Sequence, residues 1–269
     1  VGRRLISDVP LGVFLSGGID SSVIASVAQT VSSNPIKTFT IGFDDSRFDE
    51  SEQAAAVAAH LGTEHVELTA TTDAPLRLVE RMPHVYDEPF ADVSQLPTLL
   101  LSELTRQHVT VALSGDGGDE LFLGYPRYVA AKQRWEERRG LFACTVGGAG
   151  MLSTVLPKSL LNKISLGKRP WRLGDKAYRM AEDSAASTPE GVYEAFVSRW
   201  RTAEKPTLDP GSGYYFEPVR HPRLSEPLDR MGYADAVTYL PDDLLVKIDR
   251  ATMAVGLEGR APLLDHEIV

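Results

Sequence analysis

Apolar and polar positions in the first half of the chain switch repeatedly between two periods. Val13, Phe14 and Leu15 form a short β-branched and aromatic run, which predicts a buried strand. Val23, Ile24 and Val27 then recur at helical spacing and predict a helix opening at about Ser21. Lys37–Phe43 reads as a second strand ending at Gly42, and Asp49–Leu61 as a helix with an acidic first turn, an Ala-rich body and a closing Gly62. Glu64–Leu68 predicts a short strand, and Thr72–Arg81 and Ser94–Gln107 predict helices. Leu96, Leu99, Leu100 and Leu104 share one face of the second of these, and Val109–Leu113 is again a strand. Strands separated by helices of this length imply right-handed crossovers and a parallel sheet with helices on both faces. Ligands of such sheets bind beyond the carboxyl ends of the strands, where Ser16, Gly42 and Ser114 fall.

The pattern is weaker from Ala131 to Arg230. Basic and aromatic residues mix through Lys132–Arg139 and Lys163–Arg172, which fits a solvated helical surface better than a phosphate or RNA patch, and Pro210–Tyr215 reads as a loop. Asp242–Gly256 is an amphipathic helix with Leu244, Leu245, Ile248, Ala251, Thr252 and Val255 on one stripe. Lys247, Asp249 and Arg250 lie off that stripe, where charges are ordinarily solvated.

Composition narrows the class. With 269 residues the chain can bury a substantial core, as one large or two modest domains. No run approaches the roughly 18–20 apolar residues of a membrane span, no cleavable signal is visible, and the single cysteine, Cys144, excludes internal disulfides. These features predict a cytoplasmic protein. A formal charge of −9 argues against broad nucleic-acid binding, which depends on many Lys and Arg neutralising phosphates. Val1 is not an initiator methionine and an apolar segment begins just before Val269, so the expectation is an excerpt of a longer protein, cut at both ends.

Two stretches carry chemistry. In Leu11–Ile24 the apolar run stops at Ser16, Gly17 and Gly18, with Asp20, Ser21 and Ser22 following. Glycines let an anion approach the backbone, a helix start aims N–H groups at it, and Ser16, Ser21 and Ser22 offer further donors. The string lacks the lysine of GxxxxGK[ST] and the spacing of GxGxxG. In Leu113–Tyr125 a strand again ends in Ser-Gly, and Asp116, Asp119 and Glu120 follow. Gly115, Gly117 and Gly118 would make a poor stabilising cap, whereas paired carboxylates suit Mg²⁺ on a phosphate chain, with Asp20 as partner across the sheet edge.

SGGIDSS resembles the SGGxDS pyrophosphate loop of the ATP pyrophosphatase superfamily. Together with SGDGGDELFLGY and YLPDDLLVKIDRATMAVGLEGRAPLLDHE, in that order, it resembles the synthetase domain of glutamine-dependent asparagine synthetases. The resemblance implies an α/β fold of the adenine-nucleotide α-hydrolase type with a parallel sheet, followed by a largely helical part. The implied domain spans 1–269, with an α/β core over 1–130 and a mainly helical part over 131–269 packing back on the ATP site. It implies ATP contacts at Leu15, Ser16, Gly17, Gly18, Asp20, Ser21, Ile41, Ser114 and Gly115, and Mg²⁺ at Asp20 and Asp119. Asp116 is implied as catalytic, and Lys247, with Arg250, Glu258 and Arg260, as ordering the pocket or acting in it.

The activity implied is adenylation of a carboxylate with release of pyrophosphate, then displacement of AMP by ammonia from an N-terminal glutaminase domain; a homodimer stays open. A β-lactam-forming or tRNA-modifying relative and a silent scaffold are the alternatives. Two departures matter. The family's pyrophosphate lysine would lie beyond Val269, and Asp92 in Tyr86–Gln95 stands about where an arginine grips aspartate, which makes aspartate a doubtful acceptor.

Overall fold

Strand β1 (Leu11–Phe14) takes the centre of the sheet because three of its four residues are buried, leaving an apolar surface to cover on each side. The computed structural model describes residues 1–43, 49–70, 74–139, 186, 188–198 and 223–269. In it β1 lies between β2 (Lys37–Phe43) and β4 (Val111–Leu113), and β3 (Glu64–Ala70) and β5 (Glu258–Arg260) form the edges of a five-stranded sheet ordered β3-β2-β1-β4-β5. All four pairings are parallel, with Val13 opposite Thr38 and Leu113, and Leu113 opposite Arg260.

Alternation along β1 sends successive side chains to opposite faces. Val13 and Leu15 pack with Ile24, Ala25 and Ala28 of α1 (Ile19–Val31) and with Ala54 and Ala58 of α2 (Ser51–Leu61). Phe14 and Phe39 pack on the other face with Leu101 of α5 (Gln95–Arg106) and Ile248 of the helix Leu245–Met253. Helix α1 differs from the sequence expectation in two ways. It opens at Ile19, with Gly18 as its N-cap, and it buries the Ser21, Ile24, Ala25 and Ala28 stripe while Val23 and Val27 stay 47% and 40% exposed. Small alanines let it lie close to the sheet, and the branched valines are left outward.

The predicted α2 and its closing Gly62, at φ +70°, are in place. The segment expected as a helix over Thr72–Arg81 begins in residues outside those described; beyond them stand α3 (Ala74–Leu78), a 3₁₀ turn at Val79–Arg81 and α4 (Met82–Tyr86). Leu99 and Leu100 of α5 are buried and Leu96 and Leu104 pack beside them, as their spacing indicates. After β4 comes the short α6 (Gly118–Phe122). The helix expected over Asp242–Gly256 starts with a π turn at Leu240–Leu244, where Pro241 has no N–H to give, and then runs regularly from Leu245. Cys144, Lys163–Arg172 and Pro210–Tyr215 lie outside the described residues. Among those described, no helix is long and apolar enough to cross a membrane.

The described residues form two compact units, 1–122 with 236–269, and 123–235. In the second, α7 (Pro126–Arg139), α8 (Pro189–Val197) and all but the last two residues of α9 (Pro227–Val237) surround Tyr128, Tyr193 and Met231. One buried oxygen, Asp235 Oδ2, accepts from Arg127 Nη2 at 2.6 Å, Tyr128 OH at 2.7 Å and Tyr193 OH at 2.5 Å. A buried carboxylate satisfied in this way costs far less than an unpaired one. The regular helix Leu245–Met253, α10, belongs to the first unit with the sheet.

Candidate active site

The connection from β1 to β2 leaves through α1 on one face, and the connection into β4 arrives through α5 on the other. Neighbouring strands whose connections part in this way open a crevice beyond their carboxyl ends. Two loops with the helix starts that follow them meet there, residues 16–20 after β1 and 114–119 after β4. Because α1 opens earlier than expected, Asp20 sits in its first turn rather than in the preceding loop.

The first loop is tied to itself. Ser16 N donates to Ser21 Oγ at 3.2 Å, the two serine hydroxyls lie 3.0 Å apart, and Ser21 Oγ donates to Gly18 O at 3.2 Å. Gly18 N donates to Ser16 Oγ at 3.3 Å, and Gly17 turns the chain at φ +79°. Ser16 and Ser21 therefore shape the loop rather than stand as open donors. By contrast Ser22 Oγ and Ser114 Oγ are buried and have no partner among the described residues, a cost that a polar ligand within reach would relieve. Leu15 is buried and gives its N–H to Phe39 O at 2.8 Å, while Ile41 packs against the cluster of α5.

The second loop touches the first through its glycines. A methyl group on Gly115 would stand 2.8 Å from Ser21 N, and one on Gly118 would stand 2.3 Å from the Asp20 carboxyl carbon. The contact brings Asp20 and Asp119 together. Burial first, and then the charge of Asp119, push the Asp20 carboxyl above the usual carboxylate range. Asp116 is half-buried in the turn, and Glu120, the third acid of the string, is only 2% exposed.

These contacts predict different effects for two similar substitutions. Gly115→Ala drives a methyl group into the backbone of α1 and should cost about 1–3 kcal/mol of stability. Gly118→Ala has the Asp20 carboxyl group as its nearest neighbour, a side chain that can rotate where the α1 backbone cannot. It should cost less stability than Gly115→Ala, while the displaced carboxylate weakens Mg–ATP binding. Thermal melts with and without Mg–ATP check both.

Lys247 corrects an expectation. It is not solvated but only 8% exposed, with Nζ 3.1 Å from Asp92 Oδ2 and donating to Ser94 Oγ at 3.0 Å. Asp92 Oδ1 accepts the Ser94 N–H and hydroxyl, each at 2.6 Å. Burial pushes the Asp92 carboxyl up, but Ser94 and the Lys247 ammonium outweigh it and hold the group below its usual range. The phenol of Tyr86, stacked on Phe90 and donating to Lys247 O at 3.4 Å, is pushed up to about 12 by burial and by the Asp92 charge. The missed signal was spacing: Lys247 follows Leu244 by three and precedes Ala251 by four, which sets it on the buried flank.

The other charges of this segment stay nearer solvent. Arg250 pairs with Asp249, and Arg260 bonds Glu258 and the carbonyls of Arg4 and Ile6. An open depression of about 650 Å³ lies along α10, lined by Tyr86, Asp87, Glu88, Pro241, Leu245, Val246, Asp249 and Arg250. None of the two loops' residues lines it, so its size carries less weight than the convergence of Asp20 and Asp119.

The sequence profile of the asparagine synthase family matches residues 1–269. The chain belongs to the asparagine synthase family. Relatives from Mycobacterium tuberculosis and Bacillus subtilis are each 32% identical to it over its whole length. The Bacillus subtilis protein is an asparagine synthetase (glutamine-hydrolyzing) 1. A rice protein, asparagine synthetase (glutamine-hydrolyzing) 2, is 36% identical over 148 residues, which is 50% of this chain and 24% of the rice protein. The chain spans 39% and 41% of the length of the Mycobacterium tuberculosis and Bacillus subtilis relatives. Dependence on ATP and Mg²⁺ goes with the asparagine synthase family, and the paired acids of the crevice fit it.

Proposed function

We propose that the protein is the synthetase part of an ATP-dependent amidating ligase of the asparagine synthetase type. Convergence of Asp20 and Asp119 between two glycine-bearing loops carries this reading. Among the described residues no three His, Cys, Asp or Glu side chains converge on one point, so a cation here would be held by two carboxylates and by oxygens of a phosphate ligand. That is the way Mg²⁺ is commonly held on nucleotides, and when bound it neutralises charge building on the phosphate oxygens.

The first-turn N–H groups of α1 have no helical acceptor and face the same anion. Ser16, Gly17, Gly18 and Ser21 hold the loop in shape around it, and Leu15, Ile41, Ser114 and Gly115 border the nucleoside. An oxygen of the acceptor carboxylate bonds the α-phosphorus as the bond to the pyrophosphate oxygen breaks. Ammonia, delivered by a glutaminase domain, then bonds the acyl carbon and AMP leaves. Asp116, in the second loop, would take the proton the amine loses.

The acceptor is a carboxylate, aspartate or a relative of it. Because Lys247 already neutralises Asp92, that pair offers no unspent cation to a second carboxylate, so aspartate should be a weaker acceptor than monocarboxylates. ATP–pyrophosphate exchange over a panel of carboxylates, followed by amide formation with ammonium, tests the reading. Exchange stimulated by at least one carboxylate is expected. No exchange with any of them would overturn the activity, and saturable asparagine formation with a KM for aspartate below about 1 mM would overturn the acceptor preference.

A further inference from the structure

The turn that carries Asp116 and Asp119 contains Gly115, Gly117 and Gly118 within four residues, so it cannot hold its own shape. Its rigidity has to come from what packs against it. Gly115 and Gly118 are braced by α1 and Asp20, as described above. Gly117, at φ +90°, faces a different neighbour: a methyl group there would stand 2.3 Å from Leu264 Cδ2 and 2.9 Å from its Cγ. The Leu264 side chain thus fills the space where Gly117 has none, and Leu121 N donates back to Gly117 O at 3.1 Å to start α6.

Leu264 is itself held at both ends. It closes the 3₁₀ turn Pro262–Leu264 that follows β5, and Arg260 O accepts Ser114 N at 2.8 Å. Next to it Leu263 is buried with Val13, Leu15 and Ile24. On its other side Asp265 Oδ2 lies 3.8 Å from Arg4 Nη2, and Arg260 donates to Arg4 O and Ile6 O at 2.6 and 2.9 Å. The segment 260–265 is a strut from the chain's first residues to the acid-bearing turn.

We propose that Leu264 is a positioning residue, which fixes the Ser114–Asp119 turn so that Asp119 meets Asp20 at the spacing a divalent cation needs. This rests on the reading that those two acids hold Mg²⁺. The buried Leu263 beside it serves the core instead, and this division of labour makes the role testable.

The experiment measures Mn²⁺ binding by electron paramagnetic resonance in the presence of α,β-methylene-ATP, together with the melting temperature. Leu264→Ala should weaken Mn²⁺ binding by about 10-fold or more, as loss of a supporting contact does at metal sites, and Leu264→Met should restore most of it. Leu263→Ala should lower the melting temperature and leave Mn²⁺ affinity within about 2-fold, because Leu263 packs in the core cluster while it is Leu264 that stands against Gly117. Leu264→Val, which lacks the methyl group nearest Gly117, replaces the alanine variant if that fails to fold. Asp119→Asn separates the two ideas. Wild-type Mn²⁺ binding in that variant would show the metal reading to be wrong. Loss of binding in Asp119→Asn with unchanged binding in Leu264→Ala, or equal weakening by Leu263→Ala and Leu264→Ala, would overturn the role given to Leu264.

Discussion

Alanine at Asp20 or at Asp119 is expected to reduce ATP–pyrophosphate exchange by at least about 10³-fold while the protein stays folded. Neither side chain belongs to a hydrophobic cluster, and each is half-buried at the crevice rather than in the core. Their mutual repulsion is also a reason for stability to hold or rise when one is removed. Burial and the Asp119 charge raise the Asp20 carboxyl, so the folded protein binds a proton there more readily than the unfolded chain. Without metal, this group's contribution to stability therefore falls as pH rises through and above the usual value of 3.8. Saturating Mg²⁺ and nucleotide should flatten that slope, and Asp20→Asn should remove it. Near-normal exchange by either alanine variant would show that the acids do not hold the metal.

Lys247→Met is expected to destabilise the protein by about 3–5 kcal/mol, because it leaves Asp92 as a charge in a nearly closed site. The two side chains are 11% and 7% exposed, so solvent does little to screen the loss. The double variant Lys247→Met/Asp92→Asn should recover most of that stability. It removes both charges and keeps an oxygen for the Ser94 amide and hydroxyl, and a buried pair replaced by neutral groups is often nearly neutral in stability. Acid should act as the lysine substitution does, from the other side. Since the Asp92 carboxyl is held low, the pair's contribution is present above the usual carboxylate value and is lost as pH falls through the lowered one. Urea titrations of the single and double variants measure the coupling. A cost below about 1 kcal/mol for Lys247→Met would mean that the pair behaves as an exposed one.

The sequence by itself determined the parallel sheet, the helices of its faces and the two loops with their acids. Those features are local: periodicity, glycine after a strand, and acids at fixed spacing are properties of neighbouring residues. It also located Asp20, Asp116 and Asp119 within strings whose order marks the family. What it did not determine is which positions meet across the chain. Glu258–Arg260 completes the sheet as β5 only because Val111–Leu113 offers it an edge, a pairing that three residues of such ordinary composition do not announce. The serines after β1 looked like open donors, yet the turn folds Ser16 and Ser21 onto each other, and only Ser22 of the three keeps a buried hydroxyl with no partner among the described residues. The spacing of Lys247 from Leu244 and Ala251 marked its buried side but not what it meets there, because its partners Asp92 and Ser94 lie more than 150 residues earlier in the chain. Packing decided these points, because the free energy of a buried charge or hydroxyl depends on what tertiary contact brings beside it, not on its neighbours in sequence.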